Sequence, residues 1–167
     1  MKYFSLILTV FLLLGCGRSL DQERLGAVVD MSDTQKVLWD AGVKYEKTVT
    51  LKDGVVAIIF GYSPHPGAER VESLLTIQFS PGEEYLEVIE RLFASGRGIS
   101  DLVEVPELGK KGRAFIASIN NGSTTGVVFF KDDMTVLVEN EGYHGAIKTT
   151  QHQARVIGLA KTIYSRL

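Results

Sequence analysis

Three histidines and two adjacent aspartates are the side chains of this chain best suited to acid–base or metal chemistry. The histidines are His65, His144 and His152, and no two of them are three or four residues apart. This spacing excludes a helical zinc motif, in which two histidines on one helix face share the metal. Asp132 and Asp133 have the composition of a tight turn. We therefore expect no catalytic residue, no metal ion and no cofactor, and we expect His152 to be solvated in the first turn of the last helix.

The only cysteine, Cys16, follows a segment with the features of a bacterial signal peptide. A positive start at Lys2 precedes an apolar run of about 12 residues, which is too short to span a bilayer as a helix. Leu13-Leu14-Gly15-Cys16 resembles the lipobox of bacterial lipoprotein precursors. The resemblance implies that the Cys16 thiol receives a diacylglycerol and that cleavage falls between Gly15 and Cys16. In the alternative interpretation, Cys16 is an ordinary residue near a secretory cleavage site or a buried thiol.

This resemblance also predicts where the protein lies. Two or three fatty acyl chains, such as palmitate, hold a protein firmly at a membrane, whereas one chain binds only marginally. Gly17 rather than aspartate follows Cys16, which favours the outer membrane, facing the periplasm, if the host is Gram-negative. We expect a signal peptide over residues 1–15, a lipidated N-terminus and tether over 16–31, and one domain over 32–167.

Length and composition indicate a single globular domain. The chain has 167 residues, of which 45% are hydrophobic and 23% are charged, and this excludes a disordered chain and a multi-span membrane protein. The net charge of −2 gives no basic excess for a nucleic-acid partner.

The hydrophobic pattern predicts an α+β fold. We expect a mainly antiparallel β-sheet of about seven strands, packed with two long amphipathic helices and one short N-terminal helix that contains Trp39. The long helices are expected after Ser80, where Glu83 would complete a capping box, and at the C-terminus. The predicted strands cover residues 44–51, 55–62, 71–79, 102–105, 113–119, 124–131 and 134–139.

The second half of the chain is similar to the PsbP-like α/β/α sandwich. The similarity covers Ser73 to Leu167 and rests on Val105-Pro106-Glu107-Leu108-Gly109, on Arg113-Ala114-Phe115 and on the terminal amphipathic helix. That family includes photosystem extrinsic proteins and bacterial envelope lipoproteins. The resemblance implies a binding or assembly role and transfers no catalytic residue.

Together these patterns predict a membrane-anchored envelope lipoprotein with a small, non-catalytic binding or assembly domain. Its partner would be an envelope protein, a lipid or a wall component. The candidate binding loops carry His65, Tyr143, His144, Lys110 and Lys111. Lys110 and Lys111 belong either to a solvated basic loop or to a contact with anionic lipid headgroups. The alternative function is a lipid-anchored hydrolase in which the loop histidines act with Asp132 or Asp133.

Overall fold

Seven antiparallel strands form one continuous sheet in the computed structural model, which describes residues 20–37, 42–51, 54–63, 73–95, 99–119, 122–142 and 149–167. The spatial order of the strands is β1-β2-β3-β7-β6-β5-β4. Their bounds are Gly42–Thr50 (β1), Val56–Ser63 (β2), Ser73–Pro81 (β3), Ile99–Glu104 (β4), Arg113–Ile119 (β5), Gly122–Lys131 (β6) and Met134–Gly142 (β7). The predicted α+β class and seven-stranded antiparallel sheet are confirmed.

The described residues contain one long helix, not the two that the sequence predicts. The helices are Gln22–Gly26 (α1), Met31–Val37 (α2), Glu84–Ala94 (α3) and Thr149–Arg166 (α4), and Pro106–Leu108 forms a 3₁₀ turn. The middle helix α3 has only 11 residues and begins without a side-chain cap. The predicted capping box at Ser80 is wrong, because Ser80 belongs to β3 and accepts a hydrogen bond from Gln78. Trp39 lies outside the described residues.

The main hydrophobic core lies between one face of the sheet and the helices α1, α2 and α4. Alternate residues of the strands point to this face, as the two-residue period of a strand requires. Apolar side chains of α4 cover the middle of the face, and those of the N-terminal helices extend the core. The buried members include Leu25, Val28, Val37, Ile58, Phe60, Ile77, Phe79, Val127, Phe129, Val136, Val138, Val156, Leu159 and Ile163.

A second, smaller core lies on the opposite face, beneath α3. Leu86 and Ile89 of α3 pack with Val128, Leu137 and other apolar residues of the sheet. Gly126 of β6 lies at the edge of this core. A Cβ atom at residue 126 would stand 2.1 Å from Cζ of Phe115, so the aromatic ring occupies the space that a side chain would need. The ring of Phe93 on α3 lies 5.1 Å from that of Phe115 and limits its movement.

Gly126→Ala is therefore expected to lower the free energy of unfolding by about 1–3 kcal/mol, because the added methyl group overpacks a closed site. Urea unfolding followed by circular dichroism measures this loss. In the Phe115→Leu background the same change should cost less, since the obstructing ring is absent. Equal costs in both backgrounds would show that the ring of Phe115 does not confine residue 126.

The N-terminal segment packs on the domain from Leu20 onward, although the sequence predicts a tether as far as residue 31. Leu25, Val28 and Val29 are buried in the main core, and Leu20 packs against it. Asp30 and Asp33 form reciprocal side-chain to backbone hydrogen bonds at the start of α2. Hydrogen bonds from Ser32 and from the Asp33 amide lower the pKa of Asp30.

An ion pair joins this segment to the other end of the chain. Arg166, the last residue of α4, donates at 2.5 and 3.2 Å to the two carboxylate oxygens of Asp33, and at 2.8 Å to the carbonyl oxygen of Val28. Asp33 is only 2% exposed. Planar, bidentate contacts of this kind fix geometry as well as charge. The helices α1 and α2 are therefore integral parts of the domain.

Candidate functional site

The two ends of the sheet differ in how their strands are connected. At one end, which we call the turn end, β6 joins β7 through Asp132 and Asp133 alone, and the β1–β2 hairpin closes between Leu51 and Val55. At the other end, which we call the loop end, Ser73 of β3 pairs with Gly142 of β7. The segments 64–72 and 143–148 continue from strands that terminate at the loop end.

Three of the predicted binding residues belong to those segments. His65, Tyr143 and His144 lie outside the described residues, so their role in binding stays a prediction. The strand ends that flank these segments are neighbours in the sheet. Tyr62 pairs with Ser73, and Ser73 pairs with Gly142. Both segments are thus attached at the same end of the sheet, as a site shared by His65 and His144 would require.

The remaining predicted residues lie at the turn end. Asp132 and Asp133 have φ values of 51° and 58°, typical of the two central residues of a tight hairpin turn. Lys110 is exposed, and Lys111 forms an ion pair with Glu83 and lies 5.8 Å from the ring centre of Phe130. The nine residues of β7 separate this end from the loop end by about 27 Å, given the rise per residue of a strand.

A buried polar cluster, formed by Ser73, Asn140 and His152, joins β3, β7 and α4 near the loop end. The Nδ2 group of Asn140 donates to the Leu74 carbonyl at 2.8 Å and to Ser73 Oγ at 3.1 Å. The amide orientation is thereby fixed, and Asn140 Oδ1 faces His152 Nε2 at 2.7 Å. Because Oδ1 can only accept, Nε2 must carry the proton, which fixes the tautomer of a neutral ring.

The His152 side chain is buried in this cluster, whereas the sequence predicts that it is exposed to solvent. Asn140 and His152 are both 0% exposed, so the prediction of a solvated His152 is wrong. The sequence does contain a signal: Asn140 interrupts the apolar residues of β7 on the core-facing side, and a buried amide there needs a polar partner from another element. In the same region, Thr125 pairs with Asn140 across β6 and β7, and its buried hydroxyl has no hydrogen-bond partner in the described part of the chain.

A partly exposed surface on the other face of β7 surrounds a second unusual residue, Glu139. We call it the Glu139 patch, and its members are Ile59, Leu74, Thr76, Glu139 and Glu141. Glu139 lies opposite Thr76 on one side and Gly126 on the other. Burial, and then the neighbouring charge of Glu141, raise the pKa of Glu139 from 4.5 to about 7. Neither glutamate has an ion-pair partner among the described residues.

The position of Glu139 makes it a candidate for ligand contact. It stands on the central strand of seven, it is only partly exposed, and its raised pKa lets it gain or lose a proton near neutral pH. Carboxyl groups with this behaviour are enriched at functional sites. Within the described ranges, no three histidine, cysteine, aspartate or glutamate side chains are placed to hold a metal ion.

Comparisons with known proteins show a related fold and no family. No protein-family model matches the chain, and no curated protein matches it. The extracellular domain of PknH from Mycobacterium tuberculosis is similar in structure, with 12% sequence identity and a TM-score of 0.52, over 86% of this chain and 97% of that domain. At this identity the likeness shows a shared fold alone.

A second solved structure, of a protein from Thermus thermophilus, covers 87% of this chain and 88% of its own at 12% identity. Its TM-score of 0.27 is too low to support any inference. Among the described helices, none is both long and apolar enough to cross a membrane.

Proposed function

We propose that the protein is a lipid-anchored envelope protein whose α+β domain binds or helps to assemble another envelope component. The observation that carries this proposal is the sequence Leu13-Leu14-Gly15-Cys16 at the end of a short apolar segment. A thiol at that position is the acceptor for a diacylglycerol, and a small preceding residue suits cleavage. The anchored protein would face the periplasm from the outer membrane in a Gram-negative host.

The domain itself supports a binding role. Its fold is similar to that of an extracellular domain from Mycobacterium tuberculosis, and the similarity covers nearly all of that domain. The Glu139 patch offers both apolar and acidic contacts on the central strands. The loop end offers a rigid base, since the buried polar cluster ties three elements together where the two long connecting segments leave the sheet.

A lipid-anchored hydrolase is the second candidate, and the structure limits the form it can take. The segments of His65 and His144 are attached at the loop end, whereas Asp132 and Asp133 form the turn at the opposite end, about 27 Å away along β7. A hydrolytic site that combines these histidines with those aspartates is therefore disfavoured. A hydrolase at the loop end would instead combine the histidines with an exposed acid such as Glu141.

The mass of the protein isolated from the membrane fraction tests the anchor. We expect a chain that begins at Cys16 and carries two or three acyl chains, and we expect Cys16→Ala to remain uncleaved and without lipid. Washing with high salt should not release the wild-type protein, because several acyl chains hold it. An unacylated wild-type chain, cut at another position or recovered in the soluble fraction, would contradict the proposal.

A further inference from the structure

The chain joins its domain very close to the proposed anchor. Leu20 packs against the main core, so only three residues separate it from Cys16. Gln22, two residues later, hydrogen-bonds to Thr48 and Thr50 of β1. Thr50 is the last residue of β1 and lies at the turn end of the sheet. The N-terminus of the folded domain is therefore fixed at the turn end.

Chain length then limits how far the domain can stand from the bilayer. Four residue steps from Cys16 to Leu20 span at most about 14 Å when fully extended. The sheet is longer than this, because β7 alone extends about 27 Å. An anchored domain must therefore keep the corner near α1 at the lipid headgroups, whereas the loop end can lie a full strand length farther away.

The same corner exposes an apolar side chain. Met31, the first residue of α2, is 46% exposed, and it is one of few large hydrophobic side chains exposed to this degree among the described residues. Arg166 and Asp33 hold α2 against the C-terminal end of α4, and Lys131 at the turn end of β6 donates to the carbonyl oxygen of Tyr164 in α4. The start of α2, with Met31, is therefore held at the turn end of the domain. Flexible apolar side chains of this kind suit irregular apolar surfaces.

We infer that the surface formed by α1, α2 and the C-terminal end of α4 lies against the bilayer, with Met31 at the headgroup–acyl boundary, and that the loop end faces away. This inference rests on the proposed lipid anchor. The exposed charged residues of α1 and of the segment before α2 include three acids, Asp21, Glu23 and Asp30, and one base, Arg24. The contact therefore needs an apolar boundary rather than anionic lipid, and uncharged phosphatidylcholine should support it.

Methionine oxidation tests the orientation with residues that the chain already has. The chain from Cys16 onward contains two methionines, Met31 and Met134, and Met134 is only 6% exposed. Because Cys16 is the only cysteine, it can be coupled to a maleimide lipid in phosphatidylcholine vesicles, which imitates the anchor chemically. Hydrogen peroxide converts exposed methionine to the sulfoxide, and peptide mass spectrometry measures the rate at each residue.

We expect Met31 to be oxidised several-fold more slowly in the coupled protein than in protein capped with N-ethylmaleimide and mixed with the same vesicles. Met134 should react at the same rate in both. A Gly-Ser linker of about 12 residues, inserted between Cys16 and Leu20, spans about 20 Å as a coil and should restore the oxidation of Met31.

Equal oxidation of Met31 in the coupled and capped proteins would overturn the orientation. Protection that appears in solution and increases with protein concentration would overturn it too, by assigning Met31 to a contact between copies. Protection only when anionic lipid is added would show that charge, rather than the Met31 surface, governs the contact. None of these results depends on acylation in the cell, because the anchor is attached chemically. The oxidation experiment can therefore contradict the orientation even when the mass measurement confirms the lipid anchor, and the reverse also holds.

Discussion

Glu139→Gln is expected to raise the free energy of unfolding by about 3 kcal/mol above pH 7 and to leave it nearly unchanged near pH 4. The expectation follows from the pKa of Glu139, which burial and the charge of Glu141 raise from 4.5 to about 7. Below pH 4.5 the carboxyl is protonated in both the folded and unfolded states, so it carries no penalty. Between the two pKa values the unfolded chain loses its proton first, and the folded state becomes progressively less stable.

The magnitude comes from the same two pKa values. Each pH unit between 4.5 and 7 removes about 1.4 kcal/mol, and the loss stays constant above the folded pKa. Glutamine has nearly the same shape and no charge, so it avoids this loss. Urea unfolding at several pH values between 4 and 8 measures the free energy of unfolding of the wild-type protein and of the variant. The groups that titrate in both proteins contribute equally and cancel in the difference.

Glu141→Gln is the matched control for this prediction. It is two residues along the same strand and on the same face, but it is exposed. Its removal relieves only the repulsion between the two carboxylates, which is the smaller cause of the raised pKa. We therefore expect a smaller gain at pH 8 than for Glu139→Gln. A Glu139→Gln variant whose advantage is the same at pH 4 and pH 8 would refute the raised pKa.

The consequence for function is that the protein keeps a side chain that reduces its own stability at neutral pH. Residues that destabilise the folded state and make no compensating structural interaction are expected at functional sites. If Glu139 contacts a ligand with a hydrogen-bond donor or a positive charge, ligand binding would offset the cost of ionising this carboxyl group. The stability measurement thus identifies whether the Glu139 patch merits a search for ligands.

The hydrophobic period predicts the strands well, because the alternation of apolar and polar residues is contained within each strand. The run Arg113–Ile119 is found with the same bounds, and the tight turn at Asp132-Asp133 is correctly expected from local conformational preference. Helix length is predicted less well. Residues 80 and 81 have the composition of a helix start but continue β3, because pairing with Thr135 and Met134 of β7 extends the strand. Tertiary contacts of this kind have no local sequence signal.

The N-terminal segment shows the same limit more clearly. Residues 20–31 contain many polar side chains and no firm period, and the sequence therefore predicts a tether. Their burial depends on Thr48 of β1 and on Arg166, which is 133 residues away from its partner Asp33. The site was missed for a related reason: His152 and Asn140 are twelve residues apart and meet only after α4 folds back onto β7. The similarity to the PsbP-like sandwich stays a prediction.

Asn140→Leu is expected to lower the free energy of unfolding by about 3 kcal/mol or more, since each buried polar group left without a partner costs about 1–3 kcal/mol. Leucine has a similar volume and leaves no large cavity, but it removes the hydrogen bonds that the Asn140 side chain makes with Ser73, Leu74 and His152. His152 Nε2, Ser73 Oγ and the Leu74 carbonyl would each lose the bond that it now makes with Asn140.

A double-mutant cycle separates the hydrogen bond between Asn140 and His152 from the rest of the loss. His152→Leu removes the ring, and the variant with both changes leaves fewer unsatisfied groups than the sum of the single variants. We expect the combined loss, measured by urea unfolding, to be smaller than the sum by about 1 kcal/mol or more, as for residues in one network. Hydrogen exchange should also accelerate in the first turn of α4, because the bond from His152 to Asn140 holds that turn on the sheet. Strictly additive losses, with unchanged exchange in that turn, would show that the polar cluster does not connect α4 to β7.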